Sequence, residues 1–113
     1  MTVRELLNEI PMDIVCGEDN LDREIRRGFS SDMMSNVIAK GSEGEIWITF
    51  QTHVNVVAIA LMKKMAAVVL VQNRTLIPRA LEKAEAEGLT ILSTSLSAFE
   101  LGGRLFTLGI SGD

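Results

Sequence analysis

The chain has few of the residues that build disulfides, metal clusters or membrane spans. One cysteine in 113 residues allows no internal disulfide, and with one histidine it provides no metal cluster. No apolar run reaches the roughly 18 residues that a membrane helix needs; the longest candidate, Val54 to Met62, is too short. The first residues lack the basic start and apolar centre of a signal peptide. These absences predict a cytoplasmic protein that has no membrane contact, no metal and no cofactor.

Basic residues are also too few to favour nucleic acid as a partner. The 11 Lys and Arg residues are outnumbered by 15 Asp and Glu, which gives a formal net charge of -4. Proteins that bind phosphate backbones cluster Lys and Arg instead. A hydrophobic fraction of 47% with 23% charged residues is typical of globular proteins. At this length we expect one domain over residues 1–113.

The chain is organised around an apolar strand that leads through a polar turn into an apolar helix. Residues 46–50 are β-branched or aromatic on both faces, which predicts a strand in the middle of a sheet. Thr52 in the following turn is placed to cap a helix that continues to Met62. Because this helix is apolar on nearly every side, we expect a second helical layer or another subunit to cover it.

The remaining segments predict an α/β domain. Residues 65–71 form a second doubly buried strand, and weaker strands are predicted over residues 13–16, 24–29 and 89–93, the second of these at an edge. Helices are predicted before Pro11, before Gly41 and before Gly88, and one begins at Ser97. In this last helix we expect Phe99 and Phe106 to face the core with Leu101 and Leu105. The pair Gly102 and Gly103 suggests close backbone packing.

Polar side chains follow the two central strands where each strand ends. In parallel sheets ligands bind outside the carboxyl ends of the strands. A ligand site is therefore predicted at this edge, formed by six residues: Gln51, Thr52, His53, Asn55, Arg74 and Thr75. Ser30 and Ser31 are a secondary anion candidate. With Asp32 they also predict helix capping, which we favour because Asp32 would repel an anion there.

Residues for catalysis are sparse. Cys16 and His53 would form a nucleophile and base only if the fold brought them together. The acidic stretch from Glu18 to Asp22 lacks the alternating carboxylates, central Gly and terminal Glu of a calcium loop, so we interpret it as a solvated turn. No Gly-x-x-x-x-Gly-Lys-Ser/Thr loop is present. We therefore do not expect an enzyme.

Residues 28–38, 44–58 and 95–105, together with the order of elements, resemble the DRTGG domain family. That family resembles the amino-terminal domain of HPr kinase/phosphorylase, without the kinase domain. The resemblance implies a three-layer α/β/α fold with a mostly parallel sheet of four to five strands and an accessory, often self-associating, role. The signature is degraded, because residues 73–77 read Asn-Arg-Thr-Leu-Ile where Asp-Arg-Thr-Gly-Gly is expected. Both glycines, which allow the most backbone freedom, are missing.

Two functional hypotheses follow. The first is a non-catalytic regulatory or scaffolding domain that acts through self-association, most simply as a homodimer, and through contact with another protein. The second is a small-ligand sensor that binds a nucleotide or another anion at the carboxyl ends of the central strands, with Arg74 supplying charge and the helix start at Thr52 supplying amides. The two are compatible, because a ligand can bias how subunits pack.

Overall fold

The computed structural model describes residues 1–112. It contains five strands, five α-helices and a short 3-10 turn at Glu18–Asn20. The strands are β1 (Asp13–Cys16), β2 (Arg27–Ser30), β3 (Glu45–Thr49), β4 (Ala67–Leu70) and β5 (Ile91–Ser93). The helices are α1 (Val3–Glu9), α2 (Met34–Lys40), α3 (Val54–Met62), α4 (Pro78–Glu87) and α5 (Ala98–Thr107). No helix within residues 1–112 is long and apolar enough to cross a membrane.

The strands form one sheet in the order β1-β5-β4-β3-β2. The four strands β2 to β5 are parallel, and β1 pairs antiparallel with β5. Ile46 of β3 lies opposite Ala67 of β4, and Val68 of β4 lies opposite Ile91 of β5. The predicted mostly parallel sheet is confirmed, with β3 and β4 inside it and β2 at an edge.

Helices cover both faces of the sheet. On one face α1 and α5 pack with Ile46, Ile48 and Val69 into one hydrophobic cluster. On the other face α2, α3 and α4 pack with Trp47 and Val68 into a second cluster. Alternate residues of β3 and β4 therefore belong to different cores, which is why these strands are apolar on both sides. The predicted three-layer α/β/α architecture is confirmed.

The apolar helix α3 is covered mainly by its own chain. It lies between α2 and α4 in the same layer, and its Val56, Val57 and Ala60 side chains are fully buried. Asn55, Ala58 and Met62 are the α3 residues left exposed. A second layer or another subunit was expected to cover α3. Little apolar surface is left for one to cover, because the neighbouring helices already bury the sides of α3.

The cap of α3 differs from the prediction. His53, not Thr52, is the N-cap residue, and its Nδ1 atom accepts a hydrogen bond from the Asn55 amide at 3.2 Å. The helix begins one residue later than Thr52 would require, and the carbonyl of Thr52 instead accepts a hydrogen bond from the Ile77 amide. The predicted helix ends at Gly41 and Gly88 and the predicted start at Ser97 are confirmed, and Gly88 ends α4 in the left-handed conformation. At the start of α1, Thr2 and Glu5 form a capping box.

The last helix contradicts two expectations. Leu101 and Leu105 are buried as predicted, but Phe99 is 90% exposed and Phe106 is 70% exposed. A Cβ atom added to Gly102 or Gly103 would meet nothing within 4 Å, so these glycines do not serve close packing within the chain. Each costs roughly 1 kcal/mol of helix stability against Ala. Residues 99 and 106 lie seven apart, on the face opposite Leu101 and Leu105, and so point away from the sheet.

Gly17 ends β1 and must remain glycine for two reasons. Its φ of 83° is left-handed, and an added Cβ would lie 2.5 Å from Thr90 Cα and 2.6 Å from the Leu89 carbonyl oxygen. Both neighbours are backbone atoms beside β5, so a side chain here would push the edge strand away from the sheet.

We predict that Gly17→Ala lowers the free energy of unfolding by on the order of 3 kcal/mol or more, from left-handed strain and backbone overlap together. Gly109→Ala is the matched control, since its φ is 93° but an added Cβ meets nothing within 4 Å. We expect it to cost only about 1 to 2 kcal/mol. Urea denaturation of both variants measures the difference. Equal losses would contradict the contact at Gly17.

Candidate functional site

The four parallel strands end at the same edge of the sheet, and the loops that follow them meet there. We call these loops the rim: residues 31–33 after β2, 50–53 after β3, 71–77 after β4 and 94–97 after β5. This is the edge where parallel sheets bind ligands. The polar residues that follow the two central strands are predicted to lie close together here. The contacts between the rim loops show how they are held.

Asp32 joins the first two loops of the rim. Its Oδ1 atom accepts a hydrogen bond from Thr49 Oγ1 at 2.8 Å and another from the Phe50 amide at 2.6 Å. The Gln51 side chain donates back to the Asp32 carbonyl at 3.3 Å. From the sequence, Asp32 is placed only as a helix-start residue. Its role as the link between loops was missed because the partners lie 17 and 18 residues away.

Two contacts join the loops after β3 and β4. The guanidinium carbon of Arg74 lies 4.2 Å from the centroid of the Phe50 ring, a cation–π geometry. The Ile77 amide donates to the Thr52 carbonyl at 3.2 Å. The two groups of predicted residues, one around Gln51 and one around Arg74, therefore share one rim, as the parallel arrangement implies.

The loop after β4 also bonds to the loop after β5. The Gln72 amide donates to the Leu96 carbonyl, and the Asn73 amide donates to the Thr94 carbonyl, both at 2.9 Å. Gln72 and Asn73 have φ of 55° and 58°, so this turn is left-handed at both residues. Asn adopts that conformation more readily than most residues. All four rim loops are therefore held to one another by hydrogen bonds.

The degraded signature, residues 73–77, fits this loop without glycine. Ile77 has an extended backbone with φ of -61°, and neither Leu76 nor Ile77 has positive φ. Leu76 is buried in the cluster beneath α3 and α4, where a glycine would contribute no apolar surface. In this chain the buried Leu76 side chain therefore fixes the loop, and its backbone does not require glycine at residues 76 and 77.

The six predicted ligand residues are brought to one rim and lie largely on the surface. Thr52 is half-buried, and the other five are exposed: Gln51, His53, Asn55, Arg74 and Thr75. Five cavities formed by the described residues lie elsewhere, and none of these five is lined by any of the six. Arg74 is the only Arg or Lys of the rim loops, which also contain His53. Their arrangement suits a surface contact more than an enclosing pocket.

Ser31 has a structural role beside the rim. Its Oγ atom accepts from the Met33 amide at 3.2 Å and from the Asn36 side chain at 3.1 Å, which supports the start of α2. The N-cap residue itself is Met33, because Asp32 turns toward β3 instead. Ser30 ends β2 and is exposed. The carboxylate of Asp32 beside these hydroxyls opposes binding of an anion there.

Cys16 and His53 lie at opposite ends of the sheet. Cys16 pairs with Ile91 at the amino end of β5, and its thiol donates to the Leu89 carbonyl at 3.3 Å. His53 follows the carboxyl end of β3. Burial raises the pKa of the Cys16 thiol, which disfavours the reactive thiolate. No cluster of three or more His, Cys, Asp or Glu residues in the described part of the chain could hold a metal ion.

A groove between α1 and α5 was not anticipated from the sequence. It has a volume of about 480 Å³ and is lined by Glu9 of α1, by Ile10 just after that helix, and by residues of α5 that include Phe99, Gly103 and Arg104. The signal that could have revealed it is the spacing of α5, where two phenylalanines share a face with two glycines and not with the core leucines.

We predict that Asp32→Ala lowers the free energy of unfolding by about 1 to 3 kcal/mol, because two hydrogen bonds to a carboxylate are lost. The exposed Glu82 of α4 provides the control, and Glu82→Ala should change stability by less than about 0.5 kcal/mol. Urea denaturation measures both, and amide hydrogen exchange at Phe50 should accelerate only in the Asp32 variant. Unchanged exchange at Phe50 would contradict the proposed link.

Comparison with known proteins identifies the fold. No protein-family model and no curated protein matches the chain in sequence. Among solved structures, it is similar to the CBS and DRTGG domains of the regulatory region of Clostridium perfringens pyrophosphatase, which were determined in complex with the activator diadenosine tetraphosphate. The TM-score is 0.75 at 16% sequence identity, over 97% of this chain and 47% of that one. The chain therefore spans about half of this neighbour and shares the fold of that part of a regulatory region.

Proposed function

We propose that this chain is a non-catalytic regulatory domain of the DRTGG type that acts in the cytoplasm through self-association and contact with another protein. The observation that carries the proposal is the outward-facing surface of α5, where Phe99 and Phe106 are 90% and 70% exposed. Large apolar side chains grouped on a surface are typical of protein interfaces. The structural likeness to a pyrophosphatase regulatory region supports a regulatory role.

The two side chains that could act in nucleophilic catalysis, Cys16 and His53, both have structural roles, which supports a non-catalytic function. Cys16 is buried with its thiol donating to a backbone carbonyl, and His53 uses Nδ1 to cap α3. Within residues 1–112, neither side chain forms a hydrogen bond with a carboxylate that could orient it. Nucleophilic catalysis needs a nucleophile and a base within hydrogen-bond reach.

We expect the chain to form dimers at micromolar concentration, because burial of the exposed aromatic surface favours association. Sedimentation velocity over a concentration series from about 1 to 500 μM should show the sedimentation coefficient rising from the monomer value to the dimer value. The rise should persist at high salt, because salt screens exposed charges but does not weaken apolar burial. A monomer throughout this range would contradict self-association.

A second candidate function is nucleotide sensing at the rim. The observation that favours it is the Arg74 guanidinium over the Phe50 ring, since both groups are exposed and come from adjacent loops. Arg binds phosphates through several donors, and an exposed aromatic ring can stack on a base. The neighbour of similar fold was solved with diadenosine tetraphosphate, which makes that compound the first probe for this chain.

We predict that diadenosine tetraphosphate raises the melting temperature of the chain, and that Arg74→Ala weakens this binding about tenfold or more because a charge-assisted phosphate contact is lost. Arg79→Ala is the matched control, because Arg79 is exposed on α4 outside the rim loops. Calorimetric titration gives the affinities. No melting shift with diadenosine tetraphosphate, ATP or inorganic phosphate would contradict ligand sensing.

A further inference from the structure

Four residues form a continuous outward surface on α5, which we call the α5 stripe: Phe99, Gly102, Gly103 and Phe106. Their spacing of three, four and seven residues places them on one side of the helix. Leu101 and Leu105 on the other side are buried against the sheet. The stripe thus has an aromatic ring near each end and bare backbone in the middle.

The centre of the stripe is open to close approach by another backbone. An added Cβ at either glycine would meet nothing within 4 Å, so no part of this chain requires glycine there. Glycine at a helix surface lowers the stability of the helix and allows another backbone to come near. Two adjacent glycines between two exposed phenylalanines therefore match a surface that packs against a second helix.

We propose that the α5 stripe is a two-fold interface with a second copy of this chain, in which the two α5 helices pack antiparallel across their glycines. The proposal rests on the self-association proposed above and assigns it a surface. With the two-fold axis beside Gly102 and Gly103, Phe99 of one copy lies near the partner's Phe106, and the reverse contact follows by symmetry. Each ring thus meets another ring rather than a charged side chain.

In this arrangement the charged side chains beside the stripe lie opposite side chains of opposite charge in the second copy. Glu100 and Arg104 lie on the same flank of α5, toward the groove against α1, and both are about half-exposed. Within one chain they form a long ion pair, with 3.5 Å between Arg104 Nε and Glu100 Oε1. In the antiparallel dimer each Glu100 lies opposite Arg104 of the partner subunit on that same flank. A parallel dimer would place these flanks on opposite sides and lose both pairs.

The exposed area indicates a weak dimer. A phenylalanine side chain can bury on the order of 150 to 250 Å², and these two are 90% and 70% exposed. The four rings of a dimer therefore cover about half of the roughly 1,200 Å² at the lower limit for stable interfaces. Peripheral contacts made by residues of the groove between α1 and α5 must supply the rest of the buried area. We expect micromolar affinity and rapid exchange between monomer and dimer.

The first test is a charge swap measured by sedimentation velocity. Glu100→Arg alone and Arg104→Glu alone each put like charges across the two-fold axis and should weaken the dimer about tenfold. The double variant restores opposite charges and should recover most of the wild-type affinity. If the double variant is as weak as the single variants, the antiparallel arrangement is wrong.

The second test separates the interface from the stability of α5. Gly103→Gln improves helix propensity and should raise the melting temperature of the monomer, yet it should weaken the dimer at least tenfold by keeping the backbones apart. Phe99→Ala should weaken the dimer to a similar degree. Met62→Ala on α3 is the control, because Met62 is 59% exposed on the opposite layer. It should leave dimer affinity unchanged.

The outcomes distinguish this assignment from the proposed function. A wild-type dimer that is unaffected by Gly103→Gln and Phe99→Ala keeps self-association and overturns the α5 interface. A wild-type chain that stays monomeric overturns both self-association and the α5 interface. A dimer weakened by Met62→Ala and not by the α5 variants places the interface on the other layer.

Discussion

The burial of both faces of β3 and β4 is the constraint on which the rest of the structure depends. Ile46 and Val69 face one core and Trp47 and Val68 face the other, and each is essentially inaccessible to water. Burying each such side chain contributes roughly 1.5 to 3 kcal/mol. A sheet that is apolar on both sides must have helices on both sides, and parallel strands must be joined by crossovers that provide those helices. The three layers follow from this requirement.

The same constraint places the rim. Because four strands run parallel, their polar ends and following loops must meet at one edge. Asp32 then joins the loops after β2 and β3, while Leu76 anchors the loop after β4 in the core. The rim is thus a well-bonded surface on which five of the six predicted ligand residues are exposed. Its exposed Arg74 and Phe50 are suited to contact with a ligand or with another chain.

Apolar surface is distributed differently from what periodicity alone suggests. The helix with the most apolar composition, α3, is covered by α2 and α4 and leaves little for a partner. The amphipathic helix α5 instead exposes its two aromatic residues. Hydrophobicity identifies which helices must be covered, but neighbours in the fold decide how much of each remains exposed. The exposed apolar surface that would suit self-association therefore lies on α5 and not on α3.

The sequence by itself determined the order of elements, the buried strands and most helix ends, because period, glycine and capping signals are local, while its resemblance to the DRTGG family implied the mostly parallel sheet. It also determined that the residues around Gln51 and Arg74 share an edge. Only the tertiary structure decided that His53 caps α3, that Asp32 bridges two loops and that Phe99 and Phe106 point outward. These features depend on distant partners or on which side of α5 meets the sheet. A local pattern does not contain that information, since two faces of one helix can both carry apolar residues while the fold covers only one of them, as in α5.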